Sequence, residues 1–197
     1  MLVLRSATLA TVEELFRYKD SGFELEEVPG YTQDQWEIKA HNRPWIDEFG
    51  SFKNQRVMEV GGAYSLLPKY LGDRYGVEPW IGDDFGARSG EAIWSRWGDP
   101  MELPAKYPSV RYVFEPMGRF SDEYPDEYFD CIFSVSTLEH IPRDQRLDVF
   151  KDMHRCLKPG GFERHSIDIQ VGTPARVLLA ADGEGSDGSW AWRAPSL

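Results

Sequence analysis

Residues 56–71, with the sequence RVMEVGGAYSLLPKYL, join a short apolar run to two adjacent glycines and then to an apolar segment that begins at Ser65. This order predicts a buried β-strand, a tight turn and the start of a helix. In α/β sheets such a turn is the place where nucleotide-like ligands bind. Glu59 lies at the carboxyl end of the predicted strand, from which a carboxylate can reach a ligand hydroxyl or amine.

The spacing of the glycines restricts the kind of ligand. A dinucleotide fingerprint requires G-x-G-x-x-G, but counted from Gly61 the second and third glycine positions hold Ala63 and Leu66. Leu66 therefore disfavours an NAD-dependent redox enzyme, and the chain contains no G-x-x-x-x-G-K-[ST] phosphate loop. The turn suits a ligand with ribose hydroxyls and a cationic amino-acid portion. An ordinary glycine-rich connection between a strand and a helix is the alternative.

Composition restricts the kinds of partner that this 197-residue chain is expected to bind. Its net charge of −11 repels a phosphate backbone, so we expect no nucleic-acid partner. Cys131 and Cys156 form no C-x-x-C pair and are expected to be buried, reduced thiols, and no Cys/His/Asp cluster has the spacing of a metal site. No apolar run is long enough for a membrane span, and the first residues do not form a signal peptide. These features predict a soluble, cytoplasmic protein without a membrane partner.

Further strands are predicted at 80–84, 110–114, 129–135 and 162–169, and a helix at 142–157 whose apolar stripe runs through Leu147, Phe150, His154 and Leu157. Strands that alternate with helices predict an α/β fold, a Rossmann-like, doubly wound parallel sheet of at least five strands with helices on both faces. Such a sheet binds its ligand at the carboxyl ends of the strands.

Three segments are expected along the chain. Residues 1–50 form an N-terminal helical cap, 51–172 the α/β core and 173–197 a glycine-rich, disordered tail. In the cap, Thr11 and Glu14 predict a capped helix over 11–19, and residues 33–41 predict a second helix that Pro44 should break. The aromatic-rich cap is either a fixed cover packed on the core or a lid over a cleft.

Three motifs together resemble the class I S-adenosylmethionine-dependent methyltransferases, particularly the type 11 group that acts on small molecules. The first is VMEVGGAYS at 57–65, which is similar to the E/D-x-G-x-G-x-G loop of that family. The second is FDCIFSVSTLEHI at 129–141, which looks like the fourth strand and the Leu-Glu-His run that follows it. The third is LKPGGF at 157–162, similar to the turn into the fifth strand. The resemblance covers residues 50–170.

The resemblance implies S-adenosylmethionine as the cofactor and a small-molecule methyl acceptor as the substrate. It implies that the first loop contacts the methionine end of the cofactor, with Ala63 and Ser65 in place of two glycines. It also implies that Asp84, which follows Asp83, is the acid that binds the two ribose hydroxyls. A solvated Asp-Asp turn is the alternative. The cofactor-binding residues that the resemblance implies are Glu59, Gly61, Gly62, Ala63, Asp83, Asp84, Glu115 and Ser136.

His140 and Glu139 follow the fourth strand and are the candidates for a catalytic base. Histidine is the residue type that most often serves as a general base in enzymes. A structural role that anchors the next helix is the alternative for this Leu-Glu-His run. His165 and Asp168 on the fifth strand are further candidates, whereas His154 is expected in the core or at its boundary. His41 is expected among solvated residues, with a lid contact as the alternative.

The C-terminal residues depart from the family. Residues 170–197 lack the strand–helix–strand pattern with which family members continue, so the last strands are expected to be missing. An exposed fifth strand would then invite a homodimer through the sheet edge. The same departure keeps a second function open, that of a non-catalytic relative that acts as a binding or assembly module.

Overall fold

The computed structural model describes residues 7–29, 39–48, 52–86 and 97–169. Two helices precede the sheet, α1 (Val12–Lys19) and α2 (Lys39–Glu48). The remaining elements are β1 (Arg56–Val60), α3 (Leu67–Tyr75), β2 (Glu78–Gly82), α4 (Leu103–Lys106), β3 (Arg111–Val113), β4 (Phe129–Val135), α5 (Arg143–Cys156) and β5 (Leu157–Ser166). Short 3₁₀ helices lie at Pro100–Glu102 and Leu138–His140.

The five strands form one parallel sheet in the order β3-β2-β1-β4-β5. The predicted α/β class is therefore confirmed. The chain moves outward from β1 to β3 and then returns to the other side of β1, so strand order reverses between β1 and β4. In an open α/β sheet the crevice outside the carboxyl ends at that point is the ligand site.

Helices cover both faces of the sheet, as the sequence predicts. On one face Met58 of β1 packs with Val149 and Met153 of α5. On the other face Val57 packs with Ile46 of α2, in a cluster that also includes residues of α3. Because side chains alternate along a strand, Glu59 of β1 lies on the same face as Val57, which is the face that α2 and α3 cover.

The first helix begins as predicted. The Thr11 hydroxyl accepts a hydrogen bond from the Glu14 N–H at 3.1 Å, and the Glu14 carboxylate accepts one from the Thr11 N–H at 2.8 Å. This reciprocal pair satisfies two of the N–H groups that a helix start leaves without partners.

The prediction that Pro44 breaks the second helix is wrong, because α2 runs through it from Lys39 to Glu48. A proline in a helix interior removes one backbone hydrogen bond. Packing offsets that loss, since Ile46 is fully buried between α2 and the sheet. The predicted residues 33–38 lie outside the described part of the chain.

The apolar stripe predicted over 142–157 is correct at two of its four positions, because Phe150 packs against the core and Leu157 is buried. The other two positions are wrong. Leu147 is 64% exposed and His154 is exposed, so His154 is not a core residue. The buried positions are Val149, Asp152, Met153 and Cys156. A pattern based on hydropathy alone does not predict this buried face, because the face includes an aspartate.

The fifth strand begins earlier than predicted and contains an irregularity. Leu157 pairs with Phe129 and Phe162 pairs with Cys131, so the intervening Lys-Pro-Gly-Gly residues bulge out of the ladder. Both predicted thiols, Cys131 and Cys156, are fully buried and unpaired.

β5 is an edge of the sheet within the described residues. The expected tail at 173–197 and the question of missing strands concern residues outside the described ranges. None of the helices in those ranges is long and apolar enough to cross a membrane.

Candidate active site

The turn after β1 is built for close approach of the backbone. Gly61 has φ +70°, its N–H donates to the Gly82 carbonyl at 2.9 Å, and its carbonyl accepts from the Thr137 hydroxyl at 3.2 Å. A Cβ on Gly62 would lie 3.1–3.2 Å from the Cγ, Cδ and Oε2 atoms of Glu59. A side chain at Gly61 would therefore collide with Thr137, and one at Gly62 would crowd Glu59.

Glu59 is a buried acid at the end of the central strand. It is 2% exposed, and this burial raises its pKa to about 7, against the opposing effects of the Ser65 hydroxyl and the Arg43 charge. Its Oε2 atom makes no hydrogen bond to any of the described residues. A buried carboxylate oxygen without a partner is costly, and a donor supplied by a ligand would remove the cost.

The two aspartates after β2 have different environments. Asp83 accepts hydrogen bonds from the N–H groups of Ala63 at 2.8 Å and Phe85 at 2.6 Å, and burial raises its pKa to about 6. Asp83 therefore fastens the β1 turn to the β2 turn, and Ala63 adopts φ +45° in that connection. Asp84 is half-buried and accepts from the Gly86 N–H at 3.0 Å.

Glu115 and Ser136 follow the next two strands. The Glu115 side chain is half-buried, and its carbonyl accepts a hydrogen bond from the Tyr124 hydroxyl. Ser136 has φ +50°, which turns the chain sharply at the end of β4, and its hydroxyl accepts from Asn42 Nδ2 at 3.1 Å. The fold thus brings Glu59, Asp83, Asp84, Glu115 and Ser136 to the carboxyl edge of the sheet.

The catalytic candidates lie on the 3₁₀ helix that follows β4. His140 is exposed, whereas Glu139 is half-buried with a pKa that burial raises. Glu139 Oε1 accepts from the Asp168 N–H at 3.0 Å, and Glu139 Oε2 has no partner in the described ranges. Asn42 Nδ2 also lies 3.4 Å from Asp168 Oδ1. Asn42 of α2 thus contacts Ser136 and Asp168, and Asp168 contacts Glu139.

His165 belongs to a different location. Its Nδ1 atom is 2.9 Å from the hydroxyl of the fully buried Ser134, its Nε2 atom is 3.4 Å from Glu163 Oε2, and its ring contacts Phe150 of α5. This chain of contacts lies on the α5 face of the sheet. His165 is thus separated from Glu139 and Asp168.

Sequence reasoning missed the polar residues that α2 supplies. His41, Asn42 and Arg43 are all buried, so His41 is not a solvated residue. Arg43 Nη1 forms a 2.7 Å ion pair with Glu27, and its Nη2 atom has no hydrogen-bond partner among the described residues. The run of polar residues before Pro44 predicts a helix end, and nothing in the local pattern indicates tertiary burial.

Apolar side chains gather beyond the carboxyl ends of β1 to β3. Val28, Ala63, Tyr64, Leu66, Phe85 and Leu103 form a buried cluster there, with Tyr112 and Phe114 against it. A cavity of about 560 Å³ lies instead between α1, α2 and α3, and another of about 260 Å³ lies along α3. Neither of these two cavities is lined by Glu59, Asp84 or His140.

Comparison with known proteins agrees with this architecture. Residues 102–163 match the family described as "Methyltransferase domain", of type 11. A probable methyltransferase, ltbC, of Aspergillus luteorubrus is 37% identical over 79 residues, which cover 32% of this chain and 28% of that protein. The chain thus spans less than a third of the length of this relative. The Glu59 turn precedes the matched family residues.

Solved structures share the fold. A SAM-dependent methyltransferase from Aquifex aeolicus has a TM-score of 0.53 at 14% identity, over 76% of this chain and 72% of that one. Phosphoethanolamine N-methyltransferase 2 of Haemonchus contortus, solved with phosphomonomethylethanolamine and S-adenosylhomocysteine, has a TM-score of 0.52 at 20% identity, over 68% of this chain and 29% of that one. The resemblance drawn from the three motifs is therefore confirmed: this chain has the fold of the class I S-adenosylmethionine-dependent methyltransferases and a sequence match to their type 11 group.

Proposed function

We propose that this protein is an S-adenosylmethionine-dependent methyltransferase that acts on a small-molecule acceptor. The observation that carries the proposal is the buried Glu59 carboxylate with an unpartnered oxygen, next to Gly61 and Gly62 at the point where strand order reverses. The match of residues 102–163 to a methyltransferase family supports it. The net charge of −11 favours a small acceptor over nucleic acid.

The donor groups at the carboxyl edge fit the cofactor. Glu59 Oε2 suits the ammonium group of the methionine portion, and the half-buried Asp84 carboxylate suits the two ribose hydroxyls. Asp83 holds the two turns in position through its backbone hydrogen bonds. We assign Glu115 to the adenine amine and Ser136 to the lining of the pocket. When bound, S-adenosylmethionine supplies a methyl group that its sulfonium already activates.

The chemical step then needs alignment and, for a hydroxyl or ammonium acceptor, a base. Alignment of the reactants alone lowers the activation barrier of such displacements by roughly 7–11 kcal/mol. We propose Glu139 and His140 for the base. Burial raises the pKa of Glu139 towards the range in which a carboxylate accepts a proton efficiently, and its Oε2 atom has no described partner that competes for that proton. His140 Nε2 is the exposed alternative.

Residues 1–50 are proposed as the cap of the core at 51–172. The hydrogen bonds from Asn42 to Ser136 and Asp168 support this division, because they join α2 to the ends of β4 and β5.

Isothermal titration with S-adenosylhomocysteine tests the proposal most directly. We expect binding by the wild type and a loss of roughly 10-fold or more in Glu59→Gln, because the amide replaces a charged acceptor with a neutral one. Glu102→Gln is the matched control, since Glu102 is exposed and its carboxylate already pairs with Lys106. Absence of binding to the wild type at millimolar ligand would remove the proposal.

The location of the two cavities favours a second candidate, a methyltransferase-fold protein that acts as a binding or assembly module. The two cavities described above do not reach Glu59, Asp84 or His140. A wild-type protein that binds S-adenosylhomocysteine but transfers no methyl group to a panel of O, N and C acceptors would support this candidate. Methyl transfer that His140→Ala or Glu139→Gln lowers by about 10²-fold or more would support the enzyme.

A further inference from the structure

The larger of the two cavities lies apart from the candidate active site. Its lining includes Asp47 of α2 and Tyr75 of α3. The Tyr75 carbonyl accepts a hydrogen bond from the Asn54 N–H at 3.2 Å, and Asn54 precedes β1, so Tyr75 lies at the amino end of that strand. The cavity volume of about 560 Å³ is typical of small-molecule sites. The cavity is therefore a candidate site for a second ligand, away from the carboxyl edge of the sheet.

Aromatic and apolar side chains form much of the cavity wall. Tyr18 and Pro44 are buried, and Phe23, Tyr70 and Tyr75 are half-buried. The centroids of the Phe23 and Tyr70 rings are 5.0 Å apart in an edge arrangement. Aromatic rings contact flat apolar groups, and the negative charge of their faces attracts organic cations. The wall thus suits a ligand that combines an apolar body with a positive charge.

Two tyrosine hydroxyls orient the Asp47 carboxylate in this wall. Asp47 is half-buried, its Oδ1 atom accepts from the Tyr75 hydroxyl at 2.7 Å, and its Oδ2 atom accepts from the Tyr70 hydroxyl at 3.2 Å. Burial, and after it the neighbouring Asp47, raises the pKa of both tyrosines, so their hydroxyls keep the protons that they donate. Asp47 forms no ion pair with any residue that the structure describes. Since each carboxylate oxygen can accept a second hydrogen bond, Asp47 keeps acceptor positions for a ligand.

The two arginines of the lining do not neutralise Asp47. Arg17 forms a bidentate pair with Glu48, through hydrogen bonds of 2.8 and 3.1 Å. Arg74 is exposed, and its Nε atom donates to a tyrosine hydroxyl at 2.8 Å rather than to a carboxylate. Because solvent screens an exposed charge more than a half-buried one, the Asp47 carboxylate dominates the charge inside the cavity. Glu24, an exposed residue of the lining, adds a second negative charge.

We propose that this cavity binds an organic amine with a flat apolar body, whose ammonium group donates to Asp47 while the rings of Phe23 and Tyr70 contact the body. The inference goes beyond the proposed function, because it concerns a second site and does not depend on methyl transfer. One charge-assisted hydrogen bond at a half-buried carboxylate contributes roughly 10-fold to affinity. The cavity should therefore distinguish an ammonium group from a neutral or acidic group on the same ring.

The test titrates 2-phenylethylamine, 2-phenylethanol and phenylacetate into the full-length protein at neutral pH, because these probes share a ring and differ in charge. Amide chemical shifts in NMR spectra report where each probe binds and how tightly. We expect the amine to shift the amides of the cavity lining and to bind roughly 10-fold more tightly than the alcohol, with phenylacetate the weakest. Asp47→Asn should abolish the preference for the amine. Asp148→Asn is the matched control, because it changes the net charge equally, whereas Asp148 is exposed on α5 and pairs with Lys151.

Several results would overturn this inference. They are the absence of saturable amine binding, equal affinities for the amine and the alcohol, and an unchanged preference in Asp47→Asn. Amide shifts at Gly61 and Asp84, with displacement of the amine by S-adenosylhomocysteine, would place the amine at the candidate active site and also overturn it. If Asp47→Asn does not fold, the wild-type comparison and Glu24→Gln decide, since loss of the Glu24 charge should lower amine affinity by roughly 2-fold. A wild type that binds the amine but not S-adenosylhomocysteine would refute the proposed function and leave this inference intact.

Discussion

Replacing Gly61 with alanine should destabilise the protein for two separable reasons. At φ +70° any residue with a Cβ is strained, at about 1–2 kcal/mol. The added Cβ would also lie 2.6 Å from Thr137 Oγ1 and 2.9 Å from Thr137 Cβ, and closer still to the Thr137 methyl group. Overpacking of this kind costs about 1–3 kcal/mol. Together these effects predict a loss of about 2–5 kcal/mol in the free energy of unfolding.

Another glycine isolates the backbone contribution. Gly22 has the same φ of +70°, but a Cβ placed on it meets no atom within 4 Å. Gly22→Ala should therefore lose only the 1–2 kcal/mol of backbone strain. Gly160, with φ +85° and equally open surroundings, is a second control, at an exposed position in the β5 bulge.

Urea denaturation of the three variants measures these differences as shifts of the midpoint at constant slope. Adding Thr137→Ala to Gly61→Ala removes the methyl and hydroxyl contacts, so the double variant should recover about 1–3 kcal/mol relative to the sum of the single variants. If Gly61→Ala is no more destabilising than Gly22→Ala and Gly160→Ala, the proposed contact between the β1 turn and Thr137 is refuted.

Three further predictions concern the acid groups and the cap. Burial raises the pKa of Glu59 from 4.5 to about 7, so the folded protein keeps a proton that the unfolded chain releases. The free energy of unfolding should therefore fall by up to about 3 kcal/mol from pH 4.5 to 7. In urea titrations Glu59→Gln should flatten this pH dependence. Asp152→Ala should lower the free energy of unfolding by about 3–5 kcal/mol, because two backbone N–H groups and Arg155 lose their buried acceptor. Asp148→Ala, at an exposed position in the same helix, should change it by less than about 1 kcal/mol. Equal effects of the two variants would contradict the burial argument. Asn42→Ala should accelerate amide hydrogen exchange in α2 relative to α5, and unchanged exchange would show that its hydrogen bonds do not hold the cap.

Local patterns along the chain were sufficient for the alternation of strands and helices. The apolar run before Gly61 predicts β1, and the Thr11 and Glu14 pair predicts the start of α1, because each depends on neighbours within a few residues. The carboxyl ends of parallel strands meet at one edge whatever the details of packing. Glu59, Asp84 and Ser136 could therefore be assigned to that edge before their contacts were known.

Contacts between distant residues decided the rest. Asp152 looks like a solvated helix residue in sequence, but it is buried because the N–H groups of Gly118 and Phe120 converge on its carboxylate. Arg43 precedes a proline that predicts a helix end, but the packing of Ile46 against the sheet carries the helix through it. The sequence by itself determined the parallel α/β sheet and the acids at its carboxyl edge, because periodicity and strand polarity are local. Only the tertiary structure decided that His41, Asn42 and Arg43 of α2 are buried, because their burial depends on packing between residues far apart in the chain.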